Sequence, residues 1–228
     1  MGNKRKTHSA GHKKSTGFSI LELLVVMMIT AIAAALAIPG YNSITRSLRI
    51  SGDARNLNAA INQAKLQAAS NFTRSRVYVD LAANTFHVDT WNKAGNGGAG
   101  CWQTVNDPAN ACGSSTSPVQ SLSSGVTFGY ANVGNAPPNT QSQISQGSSA
   151  TSCSVRNGHA YGVVSSTNCI LFNSRGIAVQ PGNWSPITNA DAIYITDSNM
   201  VYALTVGATG VSQVWAANAS GSGSWQHR

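Results

Sequence analysis

The chain has 228 residues, of which 42% are hydrophobic and 10% are charged, and its formal net charge is +8 with a pI of about 9.6. Five of the fifteen basic residues precede Gly17, and without them ten basic and seven acidic residues leave a net charge of only +3. The high pI is therefore no indication of nucleic-acid binding; it reflects a basic N-terminus, which the positive-inside rule keeps in the cytoplasm. The length fits a membrane helix followed by one globular domain.

An apolar run from Phe18 to Ile38 follows the basic segment and ends before Pro39. At about 1.5 Å per residue this run forms a helix of roughly 30 Å, which is the hydrocarbon thickness of a bilayer. The sequence therefore predicts a transmembrane helix at 18–38. Glu22 is the exception within it, because an ionised carboxylate in lipid costs at least about 2.5 kcal/mol and normally has a partner.

Three interpretations of this segment are open. A secretory signal peptide has a shorter apolar region followed by small residues at its cleavage site, and the stretch 31–37 offers small residues. An uncleaved signal anchor fits the length but leaves Glu22 unexplained. Cleavage between Gly17 and Phe18 accounts for it, because the new α-ammonium of Phe18 supplies an opposite charge to Glu22 of a neighbouring subunit when such helices pack side by side.

The segment from Gly17 to Val26, GFSILELLVV, resembles the class III signal of type IV pilins and type II secretion pseudopilins. The glycine, the aromatic residue, the glutamate and the apolar run match at the right spacing. The resemblance implies removal of residues 1–17 by a prepilin peptidase/methyltransferase, N-methylation of Phe18, and packing of the helix against other pilin subunits in a filament core. It also implies a bacterial inner-membrane protein with a periplasmic C-terminal domain, and a helix kink at Pro39.

Beyond Pro39 the apolar residues keep a helical period. They recur mostly every three or four positions, with polar side chains between them. The pattern predicts an amphipathic helix at 39–71 that continues the membrane helix and packs its apolar stripe against the domain that follows. The stripe consists of Ile44, Leu48, Ile50, Ala54, Leu57, Ile61, Ala64 and Ala68.

Residues 72–217 are predicted to form a β-rich globular domain, so that the fold is α+β: a long N-terminal helix packed on an antiparallel sheet or a small β-sandwich. Runs at 76–81 and 85–91 predict a hairpin with His87 at the surface. Glycine-, serine- and asparagine-rich loops are expected at about 92–124 and 132–156, and a flexible tail at 218–228. Six further strands are predicted at 160–164, 169–173, 177–179, 191–196, 201–206 and 211–215.

Four cysteines lie beyond the apolar run, on the side predicted to be exported. An even number of cysteines in an oxidising compartment favours disulfides. The pairing of sequence neighbours joins Cys101 to Cys112 and Cys153 to Cys169, and two other pairings are open. The spacing does not favour a metal or redox site.

Two C-terminal stretches, ILFNSRG at 170–176 and YALTVGATG at 202–210, are similar to the FimT/GspH group of minor pilins and pseudopilins. The FimT branch is linked to DNA uptake and carries a Gly-Arg-x-Arg motif after its final turn, where this chain reads Gly-Val-Ser-Gln at 210–213. Phosphate contacts need Lys or Arg, so this departure argues against DNA binding. Arg74 and Arg76 are the candidate residues for a DNA-binding patch.

The exported part contains no persuasive catalytic site. It has no glutamate, its histidines are scattered, and no serine lies in a nucleophile elbow. The sequence therefore predicts a non-catalytic minor pilin or pseudopilin without a cofactor or metal. A DNA-binding minor pilin acting in natural transformation is the alternative, and a hydrolase on a signal anchor is a distant third. The choice between a type IV pilus and a type II secretion pseudopilus is open.

Overall fold

The computed structural model describes residues 17–105, 112–113, 117–140, 152–157, 160–181, 183–221 and 223–228. For residues 37–40, 42, 154–157 and 160–161 it describes the backbone alone. The predicted leader lies outside the described residues except for Gly17. The chain divides into two units, Met1–Thr45 and Arg46–Arg228.

The described residues form one long helix and a set of short strands. The two main sheets are antiparallel throughout. This confirms an α+β protein with an N-terminal helix and antiparallel sheets. The elements are α1 (Ile20–Ser70), β1 (Ser75–Asp80), β2 (Thr85–Asn92), a 3₁₀ turn (Asn96–Gly98), β3 (Cys101–Gln103), β4 (Gln120–Ser121), β5 (Thr127–Phe128), β6 (Asn132–Val133), β7 (Ser154–Asn157), β8 (Ala160–Val163), β9 (Thr167–Phe172), β10 (Ala178–Val179), β11 (Asp191–Thr196), β12 (Met200–Val206), β13 (Ser212–Asn218), β14 (Ser220–Gly221) and β15 (Gln226–His227).

In the N-terminal unit, α1 presents its large apolar side chains to solvent. Between Phe18 and Leu36 their exposure runs from 48% at Val25 to 84% at Ile20. Across the described part of the chain, no helix combines the length and the apolar character that crossing a membrane requires. The helix continues through Pro39, and the kink expected there stays a prediction.

In the C-terminal unit, one face of α1 is part of the hydrophobic core. The periodic residues from Ile50 to Ala68 are at most 2% exposed, as the pattern of three and four predicts. Ile44 and Leu48 differ, with 62% and 66% of their surface exposed. The buried stripe therefore begins at Ile50, which is the first residue of α1 in the hydrophobic core.

Two sheets share this core with the helix. The first has the order β10-β9-β1-β2-β3 with β4 beside β2, and the second has the order β15-β13-β12-β11-β5. The predicted hairpin is β1–β2, with Val77 opposite Val88. Alternate residues of both sheets enter one cluster with the helix, as the two-residue period of a strand requires. From the sheets this cluster includes Val77, Val79, Phe86, Val88, Ile170, Phe172, Ile193, Ile195, Leu204 and Val206.

Two glycine turns, one from each sheet, meet beside the helix. Gly176 follows β9 and Gly210 follows β12, and both have positive φ, 72° and 71°. A Cβ on Gly210 would lie 2.2 Å from the carbonyl oxygen of Gly176. Lys65 of α1 lies against both glycines and donates from Nζ to the carbonyl oxygen of Gly210 over 3.0 Å. These turns end the two stretches on which the predicted resemblance to the FimT/GspH group rests.

The regions expected as loops and tail contain further strand pairing. Within 92–124, β3 and β4 both pair with β2. In the expected flexible tail, β15 pairs with β13, and Trp225 Nε1 donates to the carbonyl oxygen of Asn135 over 2.8 Å. The Trp225 ring also packs against Tyr194, with centroids 6.1 Å apart. The described tail residues are thus tied to the sheet by an aromatic anchor.

The meeting of the glycine turns makes a prediction about stability. Gly210→Ala places a Cβ both in a left-handed conformation and against backbone, so we expect it to lower the free energy of unfolding by about 2–4 kcal/mol. Gly125→Ala is the matched control, because Gly125 has φ of 85° but no atom near its Cβ position. It should cost only about 1–2 kcal/mol. Denaturant unfolding of the full chain in detergent measures both; equal costs would show that the contact with Gly176 relaxes freely.

Candidate functional site

The bond between Gly17 and Phe18 lies just before the helix. Residues 17–19 are not helical, and α1 begins at Ile20. Ser19 ends the non-helical segment: its Oγ accepts a hydrogen bond from the backbone N–H of Leu21, and its carbonyl oxygen accepts one from the backbone N–H of Leu23. Nothing lies within 4 Å of the Cβ position of Gly17. The predicted cleavage bond is therefore in an exposed, non-helical segment with room around the glycine.

Glu22 lies in the first turn of α1 and is exposed. The positive end of the helix dipole favours a carboxylate at this position. Among the described residues Glu22 has no ion-pair partner, although a carboxylate surrounded by apolar side chains calls for one when water is removed. Glu22 and the exposed apolar surface thus point to a partner outside this chain.

Disulfides link the cysteines that are neighbours in sequence. Cys101 at the start of β3 is bonded to Cys112, with Cα atoms 5.8 Å apart. Cys153 is bonded to Cys169 of β9 at 5.1 Å. The second bond attaches the β7 segment to the outer face of the first sheet, which is the face turned away from α1.

On this outer face lies a buried ionic cluster, which we call the Arg76–Asp89–His87 cluster. Arg76 is 1% exposed, and its Nε donates to Asp89 Oδ2 over 2.8 Å. His87 Nε2 lies 3.1 Å from Asp89 Oδ1 and 3.2 Å from Thr104 Oγ1. Two sequence-based expectations are corrected here: His87 is in the interior, and Arg76 cannot reach a DNA phosphate because it is buried in an ion pair.

Aromatic rings surround this cluster and form a second, smaller core. The guanidinium of Arg76 lies 4.3 Å from the ring centroid of Trp102 and 5.2 Å from that of Tyr78. Trp91 packs edge-on against Trp102 at 5.2 Å. Burial raises the pKa of the Tyr78 phenol, which keeps it neutral. The remaining members are Cys153, Cys169, Leu171 and Val179, with Trp184 packed against them.

The aromatic layer opens to solvent at Arg74, the other candidate DNA contact. Its guanidinium lies 3.9 Å from the ring centroid of Trp184 and 5.6 Å from that of Trp91. Beside it is a cleft of about 570 Å³, lined also by Phe72 and Lys93. We call it the Arg74 cleft. The structure thus separates the two arginines: Arg76 is buried and Arg74 borders open space.

Sequence reasoning missed this arrangement but contained a signal for it. Arg76 and Tyr78 alternate along β1, and Arg74 lies just before the strand at the same two-residue spacing, so the three side chains fall on one face. Asp89 and Trp91 alternate in the same way along β2, but such a pattern predicts a solvent-facing surface unless residues from elsewhere cover it. Within the described residues, no group of three or more His, Cys, Asp or Glu could hold a metal ion.

Comparison with known proteins bears on the N-terminal segment alone. Residues 12–38 match the family model described as the prokaryotic N-terminal methylation motif. No curated protein and no solved structure matches the chain. The matched range contains the Gly17–Phe18 bond, Glu22 and most of the exposed apolar surface of α1.

The ionic cluster gives a prediction about the second core. Asp89→Asn leaves the Arg76 guanidinium buried without its counter-charge, so we expect the free energy of unfolding to fall by about 3–5 kcal/mol. The matched control is Arg76→Met combined with Asp89→Leu, which removes both charges and should cost less than the single change. Denaturant unfolding in detergent measures both. A single-variant cost under about 1 kcal/mol would mean that water reaches Arg76.

Proposed function

We propose that this protein is a non-catalytic subunit of a type IV pilus-like filament or of a type II secretion pseudopilus. The observation that carries the proposal is the match of residues 12–38 to the N-terminal methylation motif. The exposed apolar surface of α1 supports it, since surfaces of this kind mark protein–protein or membrane contacts. In this proposal a prepilin peptidase removes residues 1–17 and Phe18 is methylated on its new amino group.

The proposed location follows from the same segment. Residues 18–38 lie in the bacterial inner membrane with the basic N-terminus in the cytoplasm, and the C-terminal unit is periplasmic before the subunit enters a filament. The disulfides are compatible with an oxidising compartment such as the periplasm. Partners are other pilin or pseudopilin subunits, which cover the apolar side chains of α1.

Assembly is driven by burial and directed by charge. Apolar side chains alone do not fix the axial register between neighbouring helices, because a shifted arrangement buries a similar apolar area. The α-ammonium of processed Phe18 and the carboxylate of Glu22 on an adjacent subunit do set one, since an unpaired charge in an apolar environment is costly. The pair therefore favours one helix–helix arrangement over shifted ones.

Within this class we assign the chain to the FimT/GspH group of minor subunits. The support is the placement of the two similar stretches, whose glycine turns meet at Lys65 and join the two sheets to the helix. A structural role fits the chemistry of the C-terminal unit. Among its described residues, the pair His87 and Asp89 is buried and engaged with Arg76 and Thr104 instead of facing a substrate cleft.

The structure offers less support for DNA uptake than for filament assembly. Arg76 is withdrawn into the core, and the position of the Gly-Arg-x-Arg motif carries no arginine. Non-specific affinity for DNA needs several phosphate contacts. Arg74 and Lys93 alone provide a small fraction of such a surface, so filament assembly is the function that we favour.

The first prediction of this proposal concerns processing. Gly17→Leu should block removal of the leader, because a bulky side chain replaces open space at the scissile bond. Gly17→Ala adds only a methyl group and is the matched control, which should be cut at least in part. Mass spectrometry of the protein co-expressed with a prepilin peptidase measures cleavage and a methyl group on Phe18. An intact Gly17–Phe18 bond in the unaltered chain would refute the proposal.

The second prediction concerns assembly. Glu22→Ala should leave processing and membrane residence intact and reduce incorporation into filaments, because the Phe18 ammonium loses its partner. Thr30→Ala is the control: Thr30 is a polar residue of the same helix that bonds only within it, to the carbonyl oxygen of Met27. Quantifying each variant in sheared filaments against the membrane fraction tests this. Normal incorporation of Glu22→Ala would exclude the charge pair.

A further inference from the structure

The Arg74 cleft has features that filament assembly through α1 does not explain. Arg74 and Lys93 are both cationic, and the described lining contains no acidic side chain. Lys93 donates to the carbonyl oxygen of Phe72, which fixes the ammonium at the mouth of the cleft. The Arg74 guanidinium has no hydrogen-bond or ion-pair partner among the described residues. The cleft therefore holds two positive charges without a counter-charge.

The guanidinium of Arg74 is held in place before any ligand arrives. It lies over the Trp184 ring, 3.9 Å from the centroid, and 5.6 Å from the centroid of Trp91, whose ring packs edge-on against Trp184. Stacking on an aromatic face fixes the plane of a guanidinium and leaves the N–H groups at its edge free to donate. Two parallel N–H donors match the two oxygens of a carboxylate. Side-chain entropy that binding would otherwise cost is already lost in the folded protein.

Two residues that line the cleft have a left-handed backbone conformation. Eight non-glycine residues of the described chain have positive φ, and the two aromatic ones, Phe72 at 47° and Trp184 at 59°, both line it. Bulky residues rarely adopt this conformation, and such strain collects at ligand-binding sites. Phe72 also leaves 74% of its side chain exposed. An exposed ring in this conformation, next to two cations without a counter-charge, indicates a surface suited to a ligand.

We propose that the Arg74 cleft binds a carboxylate carried next to an apolar side chain on a partner protein. The carboxylate accepts two hydrogen bonds from the Arg74 guanidinium and is attracted by the Lys93 ammonium. The neighbouring apolar group packs on the exposed ring of Phe72 at the wall of the cleft. The site is separate from the N-terminal segment and does not depend on cleavage or on filament assembly.

The observations favour a protein carboxylate over a nucleic acid. Proteins that bind single-stranded nucleic acid offer open aromatic faces on which bases stack. Here the Arg74 guanidinium covers one face of Trp184, and Trp91 is only 7% exposed. Binding duplex DNA needs a row of phosphate contacts, whereas this cleft supplies two cations beside apolar walls. One anionic group with an apolar neighbour fits it better.

The probe for this test is N-acetylphenylalanine, which combines one carboxylate with one ring, and its neutral amide is the control ligand. We expect the acid to shift the NMR signals of the Arg74 Nε–H and the Trp184 indole N–H in the full chain in detergent, and the amide to leave them unchanged. Arg74→Met should weaken binding about tenfold or more, since a charged hydrogen bond is lost. Arg55→Met is the matched control, because Arg55 is an exposed helix arginine outside the cleft.

Several results would overturn the proposal. These are equal shifts with acid and amide, no shift with either, or equal loss of binding in Arg74→Met and Arg55→Met. Arg74→Lys keeps the positive charge but lacks the two parallel N–H donors of the guanidinium, so it should also weaken binding. This second variant keeps the test valid if Arg74→Met misfolds. Duplex DNA or oligothymidine that binds through Arg74 when the carboxylate does not would assign the cleft to nucleic acid. The processing and incorporation assays are independent of each of these results.

Discussion

The constraint on which this structure depends is the division of one helix between two environments. From Phe18 to Leu36 its apolar side chains are exposed, whereas from Ile50 to Ala68 one face is buried in the core. The buried face is rich in alanine, so the strands of both sheets can approach the helix backbone closely. Under the proposed function, other subunits cover the exposed apolar part of this helix. Each Å² of apolar surface buried in that association would stabilise it by roughly 25 cal/mol.

The first sheet packs against a separate core on each face, and different interactions stabilise the two cores. Its inner face is aliphatic and packs against α1, while its outer face combines the Arg76–Asp89–His87 cluster with Tyr78, Trp91 and Trp102. Charges so deeply buried are tolerated only with partners of good geometry, which Asp89 provides. The Cys153–Cys169 bond holds the covering segment on this face. The layer thereby gives Arg74 a rigid position at the edge of an otherwise closed structure.

The sequence allowed the helical stripe and the β1–β2 hairpin to be predicted, because each rests on a local period that tertiary packing reinforces. His87 and Arg76 show where this reasoning fails: polar alternation on a strand indicates solvent only if nothing covers that face. The cover comes from residues outside the hairpin, such as Trp102 and Cys153, in stretches whose composition predicts loops. Ile44 and Leu48 show the opposite case: they fit the helical period and are predicted to be buried, but they are exposed because they precede Ile50, where the core begins.

The two proposed sites complement each other in how they use charge. Glu22 is a carboxylate in an apolar surface, and burying it in the proposed assembly costs desolvation free energy. An ammonium from a second chain lowers this cost, so Glu22 favours the helix arrangement that provides one. Arg74 is a lone guanidinium already stacked on indole rings, so part of its desolvation and ordering cost is met within the fold. The first site therefore gives specificity to an association driven by apolar area. The second is suited to recognise a small acidic feature without a large interface, and under the proposed function it would leave the globular surface able to bind a partner while the helix packs against other subunits.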